Sequence, residues 1–156
     1  ASDVYKRQAL IYSLGQKAKT VFEELIIDKS RISQYELITS ETFTSYGVCQ
    51  FSFVKSINGF NTNDTLSIAI DRDGKIKSYT GSRQGIFDNL TVNADRSDIE
   101  KFIDEKVNSR YKNQTVKYNV NSMTIDKKKN KFYIRCFVGV ETEEYITGDE
   151  YEYRLK

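Results

Sequence analysis

The side chains of this chain that could do chemistry are few, and the gaps among them are informative. There is no histidine in 156 residues, which removes the commonest general base and the commonest metal ligand. Serine triads, Cys-His dyads and typical zinc sites are excluded with it. Two cysteines remain, Cys49 and Cys136. Each sits in an alternating apolar pattern, Cys49 with Phe51 and Phe53, Cys136 with Ile134 and Val138. Buried free thiols are the leading expectation, because cysteine is among the most buried residue types. A disulfide between the two strands, in an oxidising compartment, is the second. A catalytic thiolate ranks below both, since no cationic partner is evident for it.

Carboxylates come next. Asp71-Arg72-Asp73-Gly74 is similar to the opening of a calcium loop, but the further ligands at fixed spacing do not follow, and turn chemistry explains it better. Lys127-Lys128-Lys129 lies between two strand patterns and reads as a charged hairpin tip. Nucleic-acid binding would need a basic stripe interleaved with exposed aromatics, so no nucleic-acid partner is expected. Asn63-Asp64-Thr65, Asn89-Leu90-Thr91 and Asn113-Gln114-Thr115 fit the glycosylation triplet, and composition accounts for them. No catalytic residue, metal ligand or cofactor is expected, and the chain is not expected to be an enzyme. Tyrosine is abundant, with 11 copies. Tyr145, Tyr151 and Tyr153 gather near the C-terminal strand. Packing on a half-buried sheet is the plain reading of them; a protein-binding patch is the sharper one. Asn58 and Phe60, at an Asn-Gly corner, are a second candidate for protein contact.

The elements that must position these residues follow from periodicity. Leu10, Leu14, Ala18, Val21, Phe22 and Leu25 recur at helical steps and predict a helix over 9–27. From Tyr35 the period changes to two. It predicts strands over 35–43, 46–57, about 66–70 and 75–80, with a turn at Asp71–Gly74 in which Gly74 takes positive φ. The strand over 75–80 should have one wet face. The stretch 81–89 is irregular, with Ile86 and Phe87 covering an end of the core. A second helix is predicted over 98–111, with Ser97 and Glu100 as its capping box and Ile99, Phe102, Ile103, Val107 and Tyr111 as its stripe. Strands over 116–125, 131–140 and 150–155 complete the chain. The fold class is α+β, in the order helix, four strands, helix, three strands. The expectation is an antiparallel sheet with two amphipathic helices on one face. Residues 9–156 form either a single domain or two tandem halves, 9–92 and 93–156.

Composition is that of an ordinary globular domain: 38% hydrophobic, 29% charged, net charge +2. No apolar run is long enough to span a membrane. Abundant Lys, Asn, Ile and Tyr without any Pro or Trp suggests an AT-rich bacterial genome, of the kind met in metagenomic sequence. Asp3-Val4-Tyr5-Lys6-Arg7-Gln8 is also the in-frame translation of a transposon mosaic-end adapter used in sequencing libraries. Residues 1–8 are therefore read as an adapter artefact, with a natural polar lead-in to the helix as the alternative. On the first reading the natural N-terminus, with any export signal or membrane anchor, lies upstream of Ala9 and is missing.

The stretch Tyr46–Tyr79 carries a family resemblance. A strand ends in the corner Ile57-Asn58-Gly59-Phe60. A polar link follows, and then Leu66-Ser-Ile-Ala-Ile-Asp71-Arg-Asp-Gly74-Lys-Ile-Lys-Ser-Tyr79. This resembles the PepSY-like domains of bacterial secreted and envelope proteins, which share their fold with peptidase propeptides and pair a helix with an antiparallel sheet, often in tandem. The resemblance implies a non-catalytic binding or regulatory domain outside the cytoplasm, secreted or membrane-anchored, whose partner is a protein, a peptidase among the candidates. It implies no functional residues that can be carried over one by one. Two other classes stay open: a cystatin-like peptidase inhibitor presenting tips such as Asn58–Asn63, and a small α+β ligand-binding or hydrolase domain with a deep pocket and a paired buried carboxylate. A cytoplasmic immunity-type protein is a further option.

Overall fold

The structure, a computed structural model, describes residues 2–82 and 84–156. Ala1, in the leading segment 1–8, and Arg83, in the irregular stretch 81–89, lie outside the described residues. The elements in chain order are helix α1 (Ser2–Leu25), a 3-10 turn (Lys29–Gln34), strands β1 (Tyr35–Thr39), β2 (Val48–Ile57), β3 (Phe60–Asp71) and β4 (Ile76–Gly81), helix α2 (Arg96–Arg110), and strands β5 (Lys117–Lys128), β6 (Lys131–Glu141) and β7 (Ile146–Arg154). The chain is α+β, with seven strands in mostly antiparallel pairing. It divides into two compact units, Ala1–Ser56 with Asp64–Asp88 and Ile57–Asn63 with Asn89–Lys156.

In the first unit, α1 buries Ile11, Leu14, Ala18 and Phe22 against Cys49, Phe51, Phe53, Ile68 and Ile70. The stripe is turned slightly from the predicted one. Leu25 is exposed and Leu10 and Val21 are half-buried, whereas Ile11 and Ile26 are buried. At the helix end Lys29 reaches back and donates to the carbonyls of Glu24 and Ile26 at 3.2 and 2.8 Å, capping the last turn. β1 pairs antiparallel with β2, Tyr35 opposite Lys55 through Thr39 opposite Phe51. It stops at Thr39 rather than Phe43, because a turn closed by Gly47 N–H to Thr44 O, 2.9 Å, intervenes before β2. The predicted turn after β3 forms as expected: Asp71 accepts from the N–H groups of Asp73 and Lys75, both at 2.9 Å, and Gly74 has φ +84°. β4 is solvent-facing along almost its whole length.

In the second unit, α2 buries Ile99, Ile103 and Val107. Ile134, Cys136, Val138 and Val140 of β6 are buried at the alternate positions predicted. The capping box is not Ser97 with Glu100. Asp95 is the N-cap, accepting from Asp98 N–H at 3.0 Å, and Asp98 in turn accepts from Asp95 N–H at 3.0 Å. Two carboxylates at the positive end of the helix dipole outcompete a hydroxyl, and the Ser97 hydroxyl instead donates to Asp95. The helix accordingly starts at Arg96, two residues early. Asn58 and Gly59, φ +49° and +82°, and Lys129 and Asn130, φ +52° and +64°, are the two-residue turns with paired positive φ that match strand twist. The lysine run is thus a hairpin tip, with Lys128 opposite Lys131. One pairing departs from the antiparallel expectation: Asn61 and Thr62 of β3 run parallel to Thr124 and Ile125 of β5. The long connection through β4 and α2 permits this where a short loop would not.

Candidate functional site

Of the five residues predicted for protein contact, Tyr145 remains well exposed, at 47%. It sits in a tight turn where Thr142 Oγ1 accepts from the N–H groups of Glu144 and Tyr145. That turn starts β7 at Ile146, opposite Glu141, four residues before the predicted start. Tyr151 and Tyr153 share a face but are half-buried: Tyr151 donates to Asp149 at 3.0 Å, and Tyr153 stacks edge-on against Phe102 of α2 at 5.2 Å. Asn58 lies at the exposed β2–β3 tip, but its amide donates to the carbonyls of Val92 and Ala94, both at 3.1 Å. Phe60 is buried, 3% exposed, because the strand resumes immediately after the turn and points it inward. The structure therefore does not gather the five into one patch.

Both cysteines are free and fully buried. Cys49 donates to Ser40 O at 3.4 Å. Burial raises the Cys49 thiol and pushes Cys136 up to about 11. Neutral buried thiols are inert. A maleimide offered to the folded protein should leave both unmodified, and both should react once denaturant is added. Mass spectrometry checks this, and rapid labelling of the native chain would contradict it.

Each unit holds a buried carboxylate, and geometry shows what it does. In the first unit Asp64 accepts from Tyr35 O–H at 2.6 Å and from Gly85 N–H at 3.3 Å. Burial, then that hydrogen bond, raises the Tyr35 hydroxyl's pKa. Nearby Asp88 accepts from both terminal guanidinium nitrogens of Arg31 and from the ammonium of Lys55, the latter at 2.8 Å. Those bonds, Arg31 first, hold its carboxyl well below the usual range. Together these contacts tie the irregular segment 84–88 onto the unit. In the second unit Asp149 accepts from Tyr111 O–H at 2.6 Å and Tyr151 O–H at 3.0 Å, with Arg110 at 3.6 Å. Among the described residues, no buried side-chain nitrogen or oxygen lacks a hydrogen-bond partner. These carboxylates are engaged in holding strands, loops and a helix together.

The concave feature with the clearest means of contact is in the first unit. A groove of about 540 Å³ runs between α1 and β1, lined by Ile11, Tyr12 and Gly15 on the helix and by Leu37, Thr39 and Glu41 on the strand side. Gly15 lets α1 approach the strands closely: a Cβ there would lie 3.3 Å from the Phe51 ring and 4.0 Å from Leu37. Among the described residues β1 is the last strand on its side, paired with β2 alone. Ser40 N–H donates to Gln50 O at 3.0 Å. In an antiparallel ladder the residues whose backbone faces the partner alternate. Glu36, Ile38 and Ser40 therefore face β2, and Leu37 and Thr39 turn their N–H and C=O groups toward the open side. The sequence pattern marks 35–39 as a strand but cannot mark it as an edge, since edge status depends on pairings made by the rest of the chain.

Comparison with protein-family models, with curated proteins and with solved structures finds no match to this chain.

Proposed function

We propose that this chain is a non-catalytic binding or regulatory domain, PepSY-like, that acts outside the bacterial cytoplasm through contact with a protein partner. The observation that carries this is the open edge of β1 beside its groove. Unpaired backbone N–H and C=O groups next to a concave, partly apolar wall are the means by which a sheet takes up another polypeptide. The buried carboxylates support it from the other side, being bonded within their own units rather than aimed into the groove. The PepSY-like hairpin supports the assignment of class.

The test is site-specific photo-cross-linking. A benzophenone amino acid is placed at Thr39, at Tyr145 or, as a control, at Lys131, and the purified chain is offered to bacterial envelope proteins. A discrete adduct at Thr39 or Tyr145, competed away by unlabelled chain, is expected. Adducts equally strong at all three positions and indifferent to competitor would contradict specific protein contact.

A further inference from the structure

Among the described residues three strands, β1, β4 and β7, pair on one side only, and they can be compared by the charge each carries. Within the strands, β4 holds one charge, Lys77, and β7 holds exposed Glu150, Glu152 and Arg154, its Asp149 being buried. Charged side chains along an edge discourage further pairing. β1, like β4, carries a single charge within the strand, Glu36, with uncharged Leu37, Ile38 and Thr39 after it; what sets it apart from β4 is the groove beside it. Ile38 is 45% exposed, a β-branched side chain of the kind that packs across a strand pair. The segment Tyr35–Thr42 has Glu36 near its start, Glu41 near its end, and no Lys or Arg. Its middle offers uncharged side chains and the outward backbone groups of Leu37 and Thr39. Arg7 also lines the groove, from the α1 side.

From this pattern we infer that the β1 edge binds an extended segment of a partner protein, uncharged and β-branched at its centre and basic at its ends, by strand addition alongside α1. The inference rests on the proposed protein-binding function and names the site and the chemistry of the partner segment. The segment forms a ladder with the N–H and C=O groups of Leu37 and Thr39. One row of its side chains enters the groove over Ile11 and Leu37, and its terminal cations approach Glu36 and Glu41.

The probe is a fluorescein-labelled hexapeptide, Lys-Thr-Val-Thr-Val-Lys with blocked ends, compared by anisotropy with the same peptide carrying Glu at both ends. The native chain should bind the Lys-ended peptide at least about tenfold more tightly at low salt, with the preference shrinking as salt is added. The double variant Glu36→Lys with Glu41→Lys should reverse the preference. Thr39→Pro should weaken binding at least about tenfold, because it removes an outward N–H at an edge position where the strand tolerates proline. Should that variant misfold by circular dichroism, N-methylation of alternate peptide bonds in the probe makes the same test on the unaltered protein. Equal binding of the two peptides, an unreversed preference, or indifference to N-methylation in both registers would overturn the inference. If neither peptide binds while Tyr145 still cross-links specifically, this inference fails and the protein-binding function stands. If neither peptide binds and no specific adduct forms at any position, both fail.

Discussion

Phe22→Ala is expected to destabilise the first unit by about 3–5 kcal/mol, the usual cost of emptying a buried phenylalanine site. Phe22 is 2% exposed, stacked on Phe53 with ring centres 4.2 Å apart and edge-on to Tyr35 at 5.2 Å. Its removal would take away the transfer energy of the ring, both aromatic contacts, and the support that fixes α1 over β1 and β2. The neighbours cannot close the gap, because Ala18 is already small and Phe51 and Phe53 are fixed by strand backbone. Urea denaturation followed by tyrosine fluorescence, the chain having no tryptophan, would show the loss as a lower midpoint. A loss under about 1 kcal/mol would mean that α1 does not pack on these strands as described.

The second large effect belongs to Asp149. Its side chain is 3% exposed and is the shared acceptor for Tyr111 and Tyr151. Asp149→Ala would leave two tyrosine hydroxyls short of their acceptor and is expected to cost about 2–4 kcal/mol. Asp149→Asn keeps an acceptor oxygen and should cost less than half as much. The same site predicts a pH dependence. The hydrogen bond to Asp149 first, then burial, pushes Tyr111 from its ordinary 10.0 up to about 12. A phenol with a raised pKa stabilises the fold fully below its unfolded value, and that contribution is lost as pH rises through the folded one. Stability should therefore fall between pH 10 and 12, and the fall should be shallower in Asp149→Ala. Urea midpoints across that range check it; an unchanged slope in the variant would show that the Tyr111–Asp149 bond is not the cause.

Element types and order were legible in the sequence because the periods are strong. Cys49-x-Phe51-x-Phe53 and Ile134-x-Cys136-x-Val138 alternate cleanly, and all six of these residues are buried. The failures came where a second choice of similar energy was available. Asp95 and Ser97 both make good caps, and only the coordinates show the carboxylate winning. The turn at Thr142–Tyr145 contains neither Gly nor Pro and is closed by a threonine side chain, so it gave no local signal and the start of β7 was missed. Phe60 follows an Asn-Gly corner that looks like an exposed tip, yet a two-residue turn returns the chain to strand geometry at once. The groove beside β1 was invisible for a different reason. Residues far apart in sequence, such as Tyr12, Gly15 and Leu37, create it, and the openness of an edge is a property of the pairing pattern.

The central claim is that the β1 edge is the surface open to a partner, and amide chemical-shift mapping by nuclear magnetic resonance tests it most directly. Titrating the Lys-ended hexapeptide into the isotopically labelled chain should shift and protect from solvent exchange the amides of Leu37 and Thr39, with Ile11, Tyr12 and Gly15 shifting beside them and β7 unmoved. Shifts centred on Tyr145 and Ile146, or protection of β4 in place of β1, would contradict the claim.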